Sequence, residues 1–265
     1  MADSLAEGQR LVFVGGLHRS GTSLLAQLIA DHPQGSGLSG TEVPEDEGQH
    51  LQQVYPSART FGGPGRFAHD SAAHLTESSP LATSANAERL LTAWRPYWDN
   101  SKQYLVEKSP PNLIMSRFLQ SIFPDPYFLF IVRHPVSVTL ATGKWRTRMP
   151  LPRLMNHWFV AHDAAQSDLP MLKRIHIVSY EWLLAEPEET LSDVANFLGL
   201  ESPIDFSLIN PERGSPYAEQ WQRMLDEGDR GARAAVKRYV EAAARFDYDI
   251  NDVARAPRQP LALPD

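Results

Sequence analysis

The chain contains no cysteine, which excludes disulfides and thiol chemistry. It has no apolar run long enough to cross a bilayer. Its opening residues, MADSLAEGQR, are polar and acidic, without an apolar stretch of signal-peptide length, so a cytoplasmic protein is expected. There is no excess of positive charge either. A total of 25 Lys and Arg against 32 Asp and Glu leaves a net charge of −7, which speaks against a nucleic-acid partner. The 9 histidines show neither H-x-x-x-H nor H-E-x-x-H spacing, so no metal site is expected. No internal repeat or clear linker is present. The last absence is local. FVGGLHRSGTSLLAQL (residues 13–28) has the outline of G-x-x-x-x-G-K-[ST], with Gly16 and Gly21 as its glycines. Thr22 stands where the lysine belongs, and the loop's cation is Arg19. Such a loop still aims backbone N–H groups at an anion, but it lacks the usual means of holding a nucleoside triphosphate with magnesium.

What is present reads as α/β. With 265 residues, 42% of them hydrophobic, the chain can bury one sizeable core, and a single domain spanning 1–265 is expected. LVFVG (11–15), YLVEK (104–108), YFLFIV (127–132) and RIHIVSY (174–180) are short apolar runs of buried-strand type. Helices are expected over 22–31, over 113–122, after Pro135, and over EPEETLSDVANFLG, with Pro187 in its first turn and Gly199 as its cap. Strands alternating with helices imply a central parallel sheet flanked by helices, with ligands at the carboxyl ends of its strands. Residues 34–100 form a long excursion suited to a lid or substrate element. Residues 254–265 read as a loosely held tail.

The carboxyl ends carry the chemistry. The first strand delivers GLHRSGTS, the second Lys108, the third Arg133, and the fourth Tyr180 and Glu181. Each has a plain explanation as a turn, a solvated strand end or rim packing. Together they place three cations and a phenol along one edge of an acidic protein, which suits a ligand with two separated anionic groups.

The succession RSGTS, EKSP, VRHP and SYEWLLAEPEETLSDVANFLGL resembles the sulfotransferases that use 3′-phosphoadenosine 5′-phosphosulfate (PAPS), in their bacterial, tyrosylprotein- and heparan-sulfotransferase-like branch. The resemblance runs over about residues 13–200. It implies a P-loop-containing three-layer fold, PAPS as co-substrate, 3′-phosphoadenosine 5′-phosphate (PAP) as product, and no metal. It also implies a 5′-phosphosulfate loop at Arg19, Ser20, Gly21, Thr22 and Ser23, a 3′-phosphate contact at Arg133, and an adenine or ribose neighbour at Tyr180. Arg19 and Lys108 would hold charge growing on the leaving nucleotide. The family's arginine is paired with a serine where this chain has Ala141, and Ser137, Thr139 or Thr142 could substitute, with Ser137 on the matching helical face. The nucleotide-covering segment lies either at 210–217 (NPERGSPY) or around 230–237.

A proton acceptor is implied shortly after the first helix, within GTEVPEDEGQH (40–50). Glu42 fits the family spacing best. Glu47 and His50, three apart, are the alternative pair, and Glu45 and Asp46 are further carboxylates in a segment that also reads as a solvated acidic loop. The acceptor is a small molecule, a glycan or a peptide. Tyr55, Phe61, Phe67, Trp94, Tyr97 and Trp98 either line its pocket or pack helices. The basic, aromatic stretch 144–158 either faces an anionic acceptor or is a solvated helix face. Two other readings are a P-loop kinase, opposed by arginine rather than a carboxylate after the third strand, and a silent PAP-binding homologue.

Overall fold

The computed structural model describes residues 5–213 and 215–262. Five strands, β1 (Arg10–Gly15), β2 (Gly35–Gly37), β3 (Tyr104–Lys108), β4 (Tyr127–Val132) and β5 (Ile175–Ser179), form one sheet in the order β2-β3-β1-β4-β5. Every pairing is parallel. The helices are α1 (Thr22–Ala30), α2 (Ser84–Trp94), α3 (Ser116–Ile122), α4 (Pro135–Gly143), α5 (Leu151–Asp168), α6 (Tyr180–Ala185), α7 (Pro187–Leu198), α8 (Ser215–Asp226) and α9 (Arg230–Ala244).

The strands are apolar on both faces because both faces are covered. Side chains alternate along a strand, so Leu11, Phe13, Phe128 and Phe130 pack with residues of α2, α3, α5 and α9. Val12, Val14, Leu129 and Ile131 pack on the other face with α1, α6 and α7. This is the expected three-layer α/β arrangement. Pairing of Val14 with Lys108 and of Gly15 with Phe130 aligns the ends of β3, β1 and β4. The loops after these three strands are therefore neighbours.

Several expectations are refined. The excursion after α1 begins with β2, an edge strand of Gly-Ser-Gly that carries no apolar pattern to betray it. A Cβ on Gly35 would lie 2.0 Å from the Ile29 carbonyl oxygen, so the close return from α1 demands glycine. The helix expected over 113–122 is a 3-10 turn (Pro110–Ile114) followed by α3. Asn112 explains the tight turn, since its amide donates to the Val14 carbonyl at 3.1 Å and to Glu107 at 2.6 Å. Most aromatics of the excursion are core. Trp94 and Trp98 are buried and donate to the carbonyls of Gly48 and Val106, and Tyr55 and Phe67 are likewise buried.

The described part of the tail makes contacts with the body of the fold. Leu261 is buried, Gln166 exchanges two hydrogen bonds with Ala262, and Arg258 pairs with Glu189 and Asp193. These contacts reach α5 through the Ala262 backbone and α7 through the Arg258 side chain. Residues 263–265 lie outside the described residues. No helix among those described is long and apolar enough to cross a membrane.

Candidate functional site

The loop between β1 and α1 turns through Arg19 (φ 74°) and Gly21 (φ 102°). A Cβ on Gly21 would stand 2.5 Å from the Tyr180 ring, so glycine serves both the left-handed backbone and the close approach. Ser20 is buried and its hydroxyl donates to the Leu17 carbonyl, which closes the loop. Gly21 gives α1 no side-chain cap, so the first amides of the helix, from Thr22 and Ser23 onward, are left to meet an anion, with the dipole in the favourable sense. A cleft of about 490 Å³ opens here, lined by Arg19, Gly21, Thr22, Ser23, Arg133 and Tyr180 among others.

Arg133, immediately after β4, is the buried cation of this cleft. Its Nη1 donates to the Arg19 carbonyl at 3.1 Å. The guanidinium lies 4.1 Å from the centre of the Tyr180 ring and 5.2 Å from that of Tyr217. Its Nε and Nη2 are buried with no partner. Donors are rarely left so, and two on one guanidinium match the fork with which arginine binds phosphate. Tyr217 also accepts from Lys144 at 3.3 Å. Burial alone would raise the Tyr217 pKa, but hydrogen bonds from Lys144 and Arg19 and the nearby positive charges outweigh it and lower it. Arg19 in turn lies 4.8 Å from the Trp145 ring.

Behind Arg133 stands a neutral support. His134 Nδ1 accepts from the Val136 N–H at the start of α4, and its Nε2 is 3.1 Å from the Asp249 carbonyl, which it therefore donates to. Burial pushes its pKa down to about 4. Glu181, at the first turn of α6, accepts from the His134 N–H at 2.9 Å. Ser137, Thr139 and Thr142 are buried on α4, and none of them lines the cleft.

The other wall is built by residues 41–50. Asp46 accepts from the N–H and hydroxyl of Thr41 at 3.0 and 2.5 Å, closing a turn in which Glu42, Glu45 and Asp46 all have positive φ. Within this turn Glu47 is buried and lines the cleft, while Glu42 is exposed and lines no part of it. Lys108 Nζ donates to the Glu45 carbonyl at 2.8 Å and to Glu47 Oε1 at 3.3 Å. Its ammonium thus stands on the far side of the turn, in an adjoining hollow with Asp46, and not among the residues lining the Arg19 cleft. His50 Nε2 is 3.6 Å from Glu47 Oε2. The His50 pKa is lowered, by burial first, although Glu47 opposes this. Glu45 lines the cleft and accepts from the Ser23 hydroxyl at 3.2 Å.

The structure therefore brings together Arg19, Ser20, Gly21, Thr22, Ser23, Arg133, Tyr180, Glu47 and, behind them, Lys108 and His50. It does not bring Glu42 or Ser137. Sequence reasoning passed over His18, Glu107 and, as individual residues, Trp145 and Tyr217. His18 lines the cleft and is held neutral, with a pKa pushed to about 3 by burial and by the charges of Lys108, His50 and Arg146. Glu107 had a signal, being a carboxylate inside an otherwise apolar strand. Tyr217 closes the 210–217 segment, of which Gly214 lies outside the described residues. Residues 230–237 open α9, which packs on α5 away from the cleft.

The model described as "Sulfotransferase family" matches residues 12–204, and the chain belongs to that family. It is 24% identical over 200 residues to protein-tyrosine sulfotransferase 2 of Gallus gallus, covering 72% of this chain and 51% of that protein. The chain thus spans about half the length of that relative. Among solved structures, a sulfotransferase from Mycobacterium avium aligns with TM-score 0.53 and 13% identity over 93% of this chain and 79% of that one. Another from Mycobacterium tuberculosis aligns with TM-score 0.51 and 17% identity over 88% and 77%. At these identities the structural likeness speaks for the fold.

Proposed function

We propose that this protein transfers the sulfuryl group of PAPS to a hydroxyl or amine acceptor, in line and without a metal ion. The observation that carries the proposal is Arg133: a buried guanidinium clasped between Tyr180 and Tyr217, with two unpaired N–H donors beside the helix-start anion site. Two anion sites in one cleft suit a nucleotide phosphorylated at both 3′ and 5′ positions. Arg133 takes the 3′-phosphate, the Tyr180 and Tyr217 rings flank the nucleoside, and residues 19–23 take the phosphosulfate.

The chemistry needs a proton acceptor and a home for leaving-group charge. As the acceptor oxygen bonds to sulfur, its proton passes to Glu47. The sulfur–oxygen bond to the nucleotide breaks, and its electron pair stays on the 5′-phosphate of PAP. Arg19 and the loop amides hold that growing charge, since fixed donors are worth most where charge develops. Lys108 holds one oxygen of Glu47 through a charge-assisted hydrogen bond. A magnesium-dependent kinase needs a loop lysine and a strand-end carboxylate, and this chain has Thr22 and Arg133 in those places.

For the acceptor, a path continues from Trp145 at the mouth of the cleft. Two surface hollows of about 350 and 990 Å³ share Arg66, Pro150 and Arg153, and Trp145 joins the first to the cleft. Arg146, Arg148 and Arg238 also line them, with Asp70 as the carboxylate among the described lining residues. A small molecule, glycan or peptide carrying negative charge fits this path.

The test is thermal shift in EDTA with PAP, ATP, and ATP restored with Mg²⁺. PAP at a hundred times its Kd should stabilise by about 2.7 kcal/mol with no metal present. Stabilisation by ATP with Mg²⁺ and none by PAP would overturn the proposal.

A further inference from the structure

In the segment carrying Glu47, Gln49 has a partner for its backbone N–H and for both ends of its side-chain amide. Gln49 is almost wholly buried, at 2% exposure. Its backbone N–H donates to the Ser109 hydroxyl at 3.0 Å, and that hydroxyl donates to Glu107 Oε1 at 2.5 Å. Its side-chain oxygen accepts from the Ala58 N–H at 2.8 Å. This bond settles which end of the amide is which, because a backbone N–H must meet oxygen. The NH₂ end therefore faces Glu47 and donates to Oε2. Lys108 holds the opposite oxygen, Oε1.

The geometry points to Gln49 as a positioning residue for the reaction: it orients the Glu47 carboxylate by donating to Oε2, while Glu107 and Ser109 anchor Gln49 from below. The inference rests on the reading of Glu47 as proton acceptor. With each oxygen of Glu47 held by one donor, the carboxylate cannot rotate freely, and the residue lines the cleft. The charged and titratable groups around it come from every neighbouring element: Lys108 and Glu107 from β3, His50 and Glu45 from its own segment, and His18 and Arg19 from the loop after β1. Glu107 is fully buried, and burial pushes its carboxyl up to about 7 against the hydrogen bonds from Ser109 and Asn112.

Gln49→Glu isolates the role. A carboxylate there still accepts from Ala58, so the docking survives, but the donor to Glu47 becomes an acceptor. Two carboxyl groups sharing one site raise the pH at which both are ionised. The expected result is that the acid limb of the kcat/KM profile moves up by about one pH unit or more. At pH 7 kcat falls about tenfold or more, while PAP affinity stays within about twofold. Gln49→Met, which removes the donor without adding charge, should lower kcat with little change in the acceptor KM. If Glu47→Gln is inactive while both Gln49 variants keep wild-type kcat and acid limb, Gln49 positions nothing. If Gln49→Glu loses PAP binding as well, the residue is a folding element and the inference is overturned. If Glu47→Gln itself turns over normally, the reading of Glu47 fails, and this one with it.

Discussion

The two walls of the cleft are built on opposite plans. On one wall, proposed above to take the nucleotide, Arg133 packs against the Tyr180 and Tyr217 rings, with its Nε and Nη2 buried and unpaired. On the opposite wall, Lys108 has two acceptors, Gln49 uses both ends of its amide, and each oxygen of Glu47 meets a donor. An unpaired buried donor is costly, whereas a satisfied polar network rigidifies. The Arg133 wall thus leaves donors for a ligand to meet, while the other wall has its donors and acceptors matched within the chain. Substitutions should accordingly weaken binding on one side and turnover on the other.

The sharpest way to break that division is at the carboxylates of residues 40–50. Glu47→Gln should lower kcat by about 10²-fold or more with PAP affinity intact, the usual worth of a general base. Glu42→Gln should stay within about twofold of wild type, since that residue lines no part of the cleft. Steady-state rates and PAP titration measure both. A large loss at Glu42 and none at Glu47 would reverse the assignment.

A smaller effect is expected on the nucleotide wall. Hydrogen bonds to charged groups are worth about 1.5–3 kcal/mol, so Arg133→Ala should weaken PAP binding roughly 10- to 100-fold. An analogue lacking the 3′-phosphate should lose much less. Tyr217→Ala removes one ring from the guanidinium and should cost about 0.5–2 kcal/mol of binding. Calorimetry with both nucleotides checks this, and equal losses for both would remove the 3′-phosphate from Arg133.

The smallest effect concerns the support beneath both walls. Burial holds His18, His134 and His162 neutral, with pKa values near about 3, about 4 and about 4. Unfolded, each would take up its proton near pH 6.5. Below that pH the unfolded chain binds more protons, so their contribution is complete above 6.5 and is lost as pH falls toward 4. Glu107, raised to about 7, and His74, raised by its hydrogen bond to Asp168, pull the other way over part of this range. Glu181, raised by burial, joins these two, but burial also lowers His157, His50, His69 and His176, so the lowered imidazoles outnumber the raised groups and the urea midpoint should be lower at pH 5 than at pH 7.5. His162→Gln should flatten that slope, and a midpoint that rises toward pH 5 would show that the buried imidazoles are not carried neutral.

Much of this was legible in the sequence because it is local. Short apolar runs marked β1, β3, β4 and β5, and Pro187 and Gly199 marked both ends of α7. A parallel sheet brings strand ends together whatever their separation in the chain, so Arg19, Arg133 and Tyr180 could be grouped without coordinates. Edge strand β2 was not legible, because Gly-Ser-Gly pairs through its backbone alone. The choice between Glu42 and Glu47 was not legible either. Both are acidic residues in one short segment, and what separates them is the contact with Lys108 and Gln49, made only when that segment docks on β3. Tyr217 comes from a helix far along the chain and meets Arg133 only through packing. Backbone pattern and strand-end chemistry are properties of neighbouring residues and survive in a string of letters. Which carboxylate is buried, which lysine ammonium it faces across a turn, and which ring closes over the guanidinium depend on long-range contacts, and those the tertiary structure alone decides.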